Sequence, residues 1–186
     1  MIGALLRGLS RRGERLQPYL NRLRYELCRW RFDQAGPGGS LAGDVRISGS
    51  VCVRLAERVA LRRGVFLGGH GEISIGAGTA LNEGCIVTAL ERVEIGANCM
   101  LAPRVYILDV DHVFERTDIP IAEQGYEVAP VVIGDDVWIG TQAVICKGVS
   151  IGHGAVIGAN SVVTRDIPAM AVAAGLPAKV IRMRQE

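Results

Sequence analysis

The 186-residue chain balances 21 Lys and Arg against 19 Asp and Glu for a net charge of +2, and it combines 49% apolar residues and 24 glycines with only 5% aromatics. That length suits one domain with an appendage, and the scarcity of aromatics argues against an ordinary β-sandwich and for a solenoid filled by stacked Ile, Val, Leu and Ala. No apolar run reaches the ~18 residues that a membrane-spanning helix requires, and the Leu-rich start is too short and too interrupted by arginine to read as a signal peptide. The five cysteines are scattered without a C-x-x-C pair, which points to reduced, buried thiols and a cytoplasmic setting.

Charge is polarised along the chain. Residues 1–33 carry eight Arg against Glu14, Glu26 and Asp33, a balance of +5, which leaves −3 for the remainder. Leu16, Leu20, Leu23, Leu27 and Trp30 recur at helical spacing, and the arginines fall largely off that stripe, so residues 1–34 read as a basic amphipathic helical segment. Two uses are open: the stripe packs on the rest of the chain or on a neighbouring subunit, or it lies on an anionic membrane surface with Arg on phosphates. Nucleic acid is excluded as a partner, because the basic residues form no interleaved aromatic platform. The breaker cluster Ala35 to Ser40 then separates this segment from the remainder of the chain.

From residue 41 an aliphatic repeats every six residues. Leu41, Ile47, Val53 and Val59 keep the spacing, and Glu57 is the misfit, expected at a distorted hexad or facing solvent. Val65 continues the register, the stretch Gly68 to Gly71 interrupts it, and a second slip of two residues separates Val87 from Ile95. Between Ile107 and Ile133 the period vanishes, and residues 109–131 form one polar excursion that contains Asp109, Asp111 and His112. The repeat returns without a break at Ile133, Ile139, Ile145, Ile151, Ile157 and Val163, four of them followed by Gly (Gly134, Gly140, Gly152, Gly158). A helix wants spacings of three and four, and a hairpin strand alternates over short runs. A period of six fits a parallel β-helix whose glycines let the backbone turn. Residues 41–168 are therefore expected to form that solenoid, and residues 169–186 a basic C-terminal tail.

Three histidines are available for chemistry. His70 sits in a glycine-rich break and His153 at a hexad corner, where structural or merely exposed roles are expected. His112 lies in the one long excursion beside Asp111, and an imidazole there, part neutral near pH 7, suits a general base.

The run from Val131 to Pro168, V-V-I-G-D-D-V-W-I-G-T-Q-A-V-I-C-K-G-V-S-I-G-H-G-A-V-I-G-A-N-S-V-V-T-R-D-I-P, followed by A-A-G-L-P-A-K-V-I-R, resembles the hexapeptide-repeat acyltransferases, closest to the galactoside, maltose and polysaccharide O-acetyltransferases. The resemblance covers roughly residues 75 to 182 and does not reach the N-terminal helix. It implies an all-β, left-handed parallel β-helix, a homotrimer, and acetyl-CoA as donor substrate in clefts between adjacent solenoids, with no metal. Carried over by position, it makes His112 the general base and Asn82 a residue that positions the reacting groups. It sets Trp138 against the thioester, gives the Thr141 N–H to the thioester oxygen, and runs Ala159, Thr164 and Arg165 along the pantetheine arm and nucleotide end, with Lys179 and Arg182 near the phosphates. Where the family has an acidic residue before the Val-Glu-Ile-Gly strand, this chain has Leu90, and the N-terminal acceptor module of the sugar acetyltransferases is not recognisable.

The expectation is an acetyl-CoA-dependent O-acetyltransferase acting on a sugar hydroxyl in cell-surface polysaccharide or glycolipid synthesis, cytoplasmic or at the inner face of the membrane. An amino sugar or serine acceptor is the alternative. A zinc carbonic anhydrase of the same fold fits poorly, since the three histidines stand about forty residues apart and that family uses an H-x4-H pair. A non-enzymatic solenoid scaffold leaves His112 and Trp138 without a purpose.

Overall fold

A computed structural model describes residues 16–185 of the chain, which form a three-walled parallel β-solenoid with the architecture of a left-handed β-helix, preceded by a helix over 16–28. Wall 1 stacks Gln34–Ala35, Cys52–Leu55, Glu72–Ile75, Arg92–Ile95, Val131–Ile133 and Ser150–Ile151. Wall 2 stacks Ser40–Leu41, Ala60–Leu61, Ala80–Leu81, Met100–Leu101, Trp138–Ile139, Val156–Ile157 and Ala171–Gly175, and is closed by the antiparallel strand Ala178–Met183. Wall 3 stacks Arg46–Gly49, Phe66–Gly69, Ile86–Ala89, Tyr106–Leu108, Val144–Ile145 and Val162–Val163. The first strand thus ends on Ala35, where the Ala35–Ser40 cluster begins, and the C-terminal residues complete wall 2.

The interior is a ladder of aliphatics. Leu61, Leu81, Leu101, Ile139 and Ile157 succeed one another in register up wall 2 and are almost wholly buried. Each such side chain contributes about 1.5–3 kcal/mol by leaving water, which is why no large aromatic core is needed.

Two details correct the reading of the repeat. The first-half coils are not irregular hexads but regular 20-residue turns, with Leu41 pairing Leu61 and Leu61 pairing Leu81, whereas later turns advance by 18, as in Ile139 with Ile157. The two extra residues lengthen the strands of walls 1 and 3, so Val53 is followed inward by Leu55, and Val59 and Val65 become buried corner residues. Glu57 then falls on a corner in solvent beside Arg58. The second correction concerns glycine. The corner residue with positive φ comes three after each large aliphatic, at Asp136, Gln142, Gly148, Gly154 and Asn160, types that tolerate that region or, like Gln142, are held in it by the coil. Gly134 and Gly140, directly after the aliphatic, are needed instead for close approach of successive coils: a Cβ on Gly140 would stand 2.5 Å from the Ala159 N.

The helix caps the first coil with a face other than the expected one. Tyr25 is fully buried and its hydroxyl donates to the Gly36 carbonyl at 2.6 Å, while Asn21, one turn earlier, is 4% exposed. Arg24 and Arg31 reach the carbonyls of Leu41 and Val45. The leucine stripe faces away.

Candidate functional site

The long excursion is an ordered arm. Val110–His112 and Tyr126–Val128 pair antiparallel, His112 opposite Tyr126 with ring centroids 4.7 Å apart. Both residues are exposed, so the imidazole is open to a substrate.

What holds the arm is Asp109, which sequence reasoning singled out only as part of the loop. Its side chain is fully buried, and its carboxylate accepts the N–H groups of Leu90, Glu91 and Arg92 at 2.8, 2.7 and 2.8 Å. Three N–H donors to one buried carboxylate satisfy both partners where neither reaches water. The Asp109 carbonyl also accepts from Ala129 N, which closes the base of the arm. Lys147, from the next coil, adds an ion pair to Glu127 at 3.1 Å. At the tip, the Gln124 side chain exchanges two hydrogen bonds with the Arg116 backbone. His112 is therefore carried on a braced strand.

The other expected residues gather on different edges. Asn82, Thr141 and Ala159 occupy the corner between walls 2 and 3, stacked coil over coil through Asn82 N to Leu101 O and Gly140 N to Ile157 O. Asn82 is half-buried, its amide donating to the Leu101 carbonyl at 2.8 Å, and the Thr141 hydroxyl donates to the Pro103 carbonyl at 2.7 Å. Those bonds fix both side chains against the wall. Among the described residues the Thr141 N–H has no acceptor, so it is available to an incoming oxygen. Trp138, 50% exposed, projects from wall 2 just before this corner.

Thr164 and Arg165 lie on the corner between walls 3 and 1, and with Lys179 they line an open depression of about 470 Å³ that Asp166, Pro177 and Val180 complete. Arg182 stands apart on the outer strand, its guanidinium bonded to the Met183 carbonyl. A polyanionic tail would find Arg165 and Lys179 side by side there. His112 rises from the wall 3 to wall 1 edge, whereas Asn82, Trp138 and Thr141 lie on or beside the wall 2 to wall 3 edge, so His112 and the other group stand on different edges of one chain.

His70 holds a Ser50 hydroxyl at 3.0 Å on the surface, and His153 is exposed at a corner. Among the described residues no three His, Cys, Asp or Glu side chains cluster as metal ligands. All five cysteines are free, and burial pushes the Cys85 thiol up to about 11.

The chain is similar to known proteins. Residues 130–165 match the bacterial transferase hexapeptide (six repeats). The chain is 37% identical over 131 residues to an Escherichia coli protein that carries the name lipopolysaccharide biosynthesis O-acetyl transferase WbbJ, covering 67% of this chain and 66% of that one. Among solved structures it matches a maltose O-acetyltransferase from Clostridium difficile (32% identity, 78% of this chain and 71% of that chain, TM-score 0.56). It also matches a galactoside acetyltransferase in complex with coenzyme A (29% identity, 94% and 80%, TM-score 0.60). The chain spans 24% to 66% of the length of the curated relatives it matches.

Proposed function

The chain belongs to the hexapeptide-repeat acyltransferases, and from that premise we propose that it is an acetyl-CoA-dependent O-acetyltransferase that moves acetyl onto a sugar hydroxyl. The observation that carries the reading is the exposed His112 imidazole on an arm braced by the buried Asp109 carboxylate. His112 takes the proton of the acceptor hydroxyl as its oxygen attacks the thioester carbonyl. The Thr141 N–H meets the charge that develops on the carbonyl oxygen. The C–S bond then breaks, and the coenzyme thiolate leaves with the proton that His112 returns, so no acyl-enzyme is formed. Asn82 positions the reacting groups, Trp138 walls the thioester end, and Ala159, Thr164 and Arg165 follow the pantetheine and nucleotide, with Lys179 and Arg182 for the phosphates.

A homotrimer is part of the proposal, because the groups on two edges of one chain meet only across a subunit boundary. The outward faces support it. Wall 3 presents Phe66, Ile86, Tyr106, Val144 and Val162 in register, and wall 2 presents Ala80, Met100, Trp138 and Val156. Wall 1 presents Arg54, Ser74 and Glu94. Two apolar walls and one polar wall fit burial of walls 2 and 3 between copies, with wall 1 left to solvent.

The free cysteines fit a reducing cytoplasm, and the similarity to WbbJ favours an acceptor in cell-surface polysaccharide or glycolipid synthesis. Coenzyme A release measured against a panel of hydroxyl and amino sugars tests the reading. Turnover with hydroxyl acceptors supports it, and turnover with amines alone contradicts it in favour of N-acetylation. Contact with a membrane through residues 1–33 stands on separate ground.

A further inference from the structure

We infer that the exposed face of the N-terminal helix is a docking surface for an anionic lipid bilayer, one that goes beyond the acetyl-transfer reading. At about 100° per residue, Asn21 and Tyr25 define one side of the helix over 16–28, and that side is buried against the first coil. Leu16, Leu20, Leu23 and Leu27 define the opposite side and are 57%, 50%, 56% and 66% exposed. Tyr19 and Trp30 extend the stripe and are 71% and 79% exposed. The helix has thus met its packing requirement with one face and still presents a continuous apolar band with the other. The solenoid's own edge cannot cover that band, because the helix body lies between them.

Charge selects the occupant. Arg22, Arg24, Arg29 and Arg31 lie off the band, Arg24 and Arg31 each giving one guanidinium N–H to the Leu41 and Val45 carbonyls, and of the two acids in the same stretch Glu26 is paired with Arg29 and Asp33 is engaged by the Val53 N–H at 2.7 Å. The sequence before the described residues adds Arg7, Arg11, Arg12 and Arg15 against Glu14 alone. An apolar band edged by arginine, with aromatic residues at its margin, matches the interface of an acidic membrane, where leucine enters the acyl boundary and guanidinium meets lipid phosphate. A second copy of this chain would bring the same arginines together and is disfavoured by their repulsion. Among the described residues no helix is long and apolar enough to cross a membrane, so the contact is peripheral.

The test uses the full chain and sedimentation with vesicles of phosphatidylcholine alone or mixed with phosphatidylglycerol. Binding to the acidic vesicles only, weakened by salt and lowered at least about tenfold by Leu20→Glu with Leu23→Glu, is expected. The single variant Trp138→Phe leaves Trp30 as the remaining tryptophan, and its emission should shift to the blue on acidic vesicles. Absence of both binding and shift overturns the inference, as does a fall in subunit number in the leucine variant without any vesicle binding, which would assign the band to a second copy. Coenzyme A release in solution is a separate readout, so an unaltered chain that turns over but binds no acidic vesicle refutes this inference and not the enzymatic one.

Discussion

Two edges of the same prism carry different sets of candidate functional groups. The edge between walls 3 and 1 bears an arm with an exposed imidazole, anchored by a buried carboxylate. The edge between walls 2 and 3 bears an amide, a tryptophan and an unused backbone N–H, and hydrogen bonds between coils fix the Asn82 and Thr141 side chains there. In the proposed reaction the first supplies a proton acceptor and the second supplies positioning and charge stabilisation, and a solenoid wall separates them. The division is what leads us to propose a site shared between copies of the chain.

The largest expected effect breaks each edge in turn. His112→Ala should lower kcat/KM by about 10²–10⁴-fold, measured as coenzyme A release. Asn82→Ala should also lower turnover, and because His112 is exposed, the first variant should keep the melting temperature of the parent. Asp109→Ala strikes the anchor instead of the base. Three N–H groups lose a buried charged acceptor, so stability should fall by about 3 kcal/mol in chemical denaturation, and kcat should fall with it although Asp109 touches no substrate.

A neighbouring pair separates wall from cleft. Ile139→Ala removes a fully buried side chain from the stack and should cost about 2–5 kcal/mol. Trp138→Ala, one residue away and half exposed, should cost the isolated fold little while reducing turnover and subunit association, read by light scattering. The smallest effect is in the interior. With its thiol raised to about 11 from 9.0, Cys85 stays protonated in the fold at pH values where an unfolded thiol ionises. Stability should therefore be complete below pH 9 and decline as pH rises toward 11, and at pH 8 iodoacetamide should modify half-buried Cys52 before Cys85.

Much of this architecture is written in spacing. The unbroken period from Ile133 to Val163 names the inner column residue by residue, because a stack of identical coils repeats its burial pattern with the coil. The 20-residue turns were less legible: hexad counting treats two added residues as a slip, and only alignment at twenty shows Gly49, Gly69 and Ala89 in one column with Asp109 next in sequence. That alignment is also the signal that would have found the anchor. The leucine stripe was visible as a period, but not its direction. Tyr25 and Asn21, a polar pair by composition, won the buried side because the tyrosine hydroxyl finds the Gly36 carbonyl and its ring covers Gly39. How the edges of two copies would meet is encoded by no pattern within one chain.

Complementation between two inactive chains measures the central claim most directly. His112→Ala and Asn82→Ala proteins, unfolded together in equal amounts and refolded, should form mixed trimers in which a fraction of sites unites an intact His112 with an intact Asn82 from another copy. Random assembly around a threefold ring predicts recovery of about a quarter of parental activity. Mixed trimers that form, shown by differential tagging, yet remain as inactive as their parents would contradict a site shared between subunits.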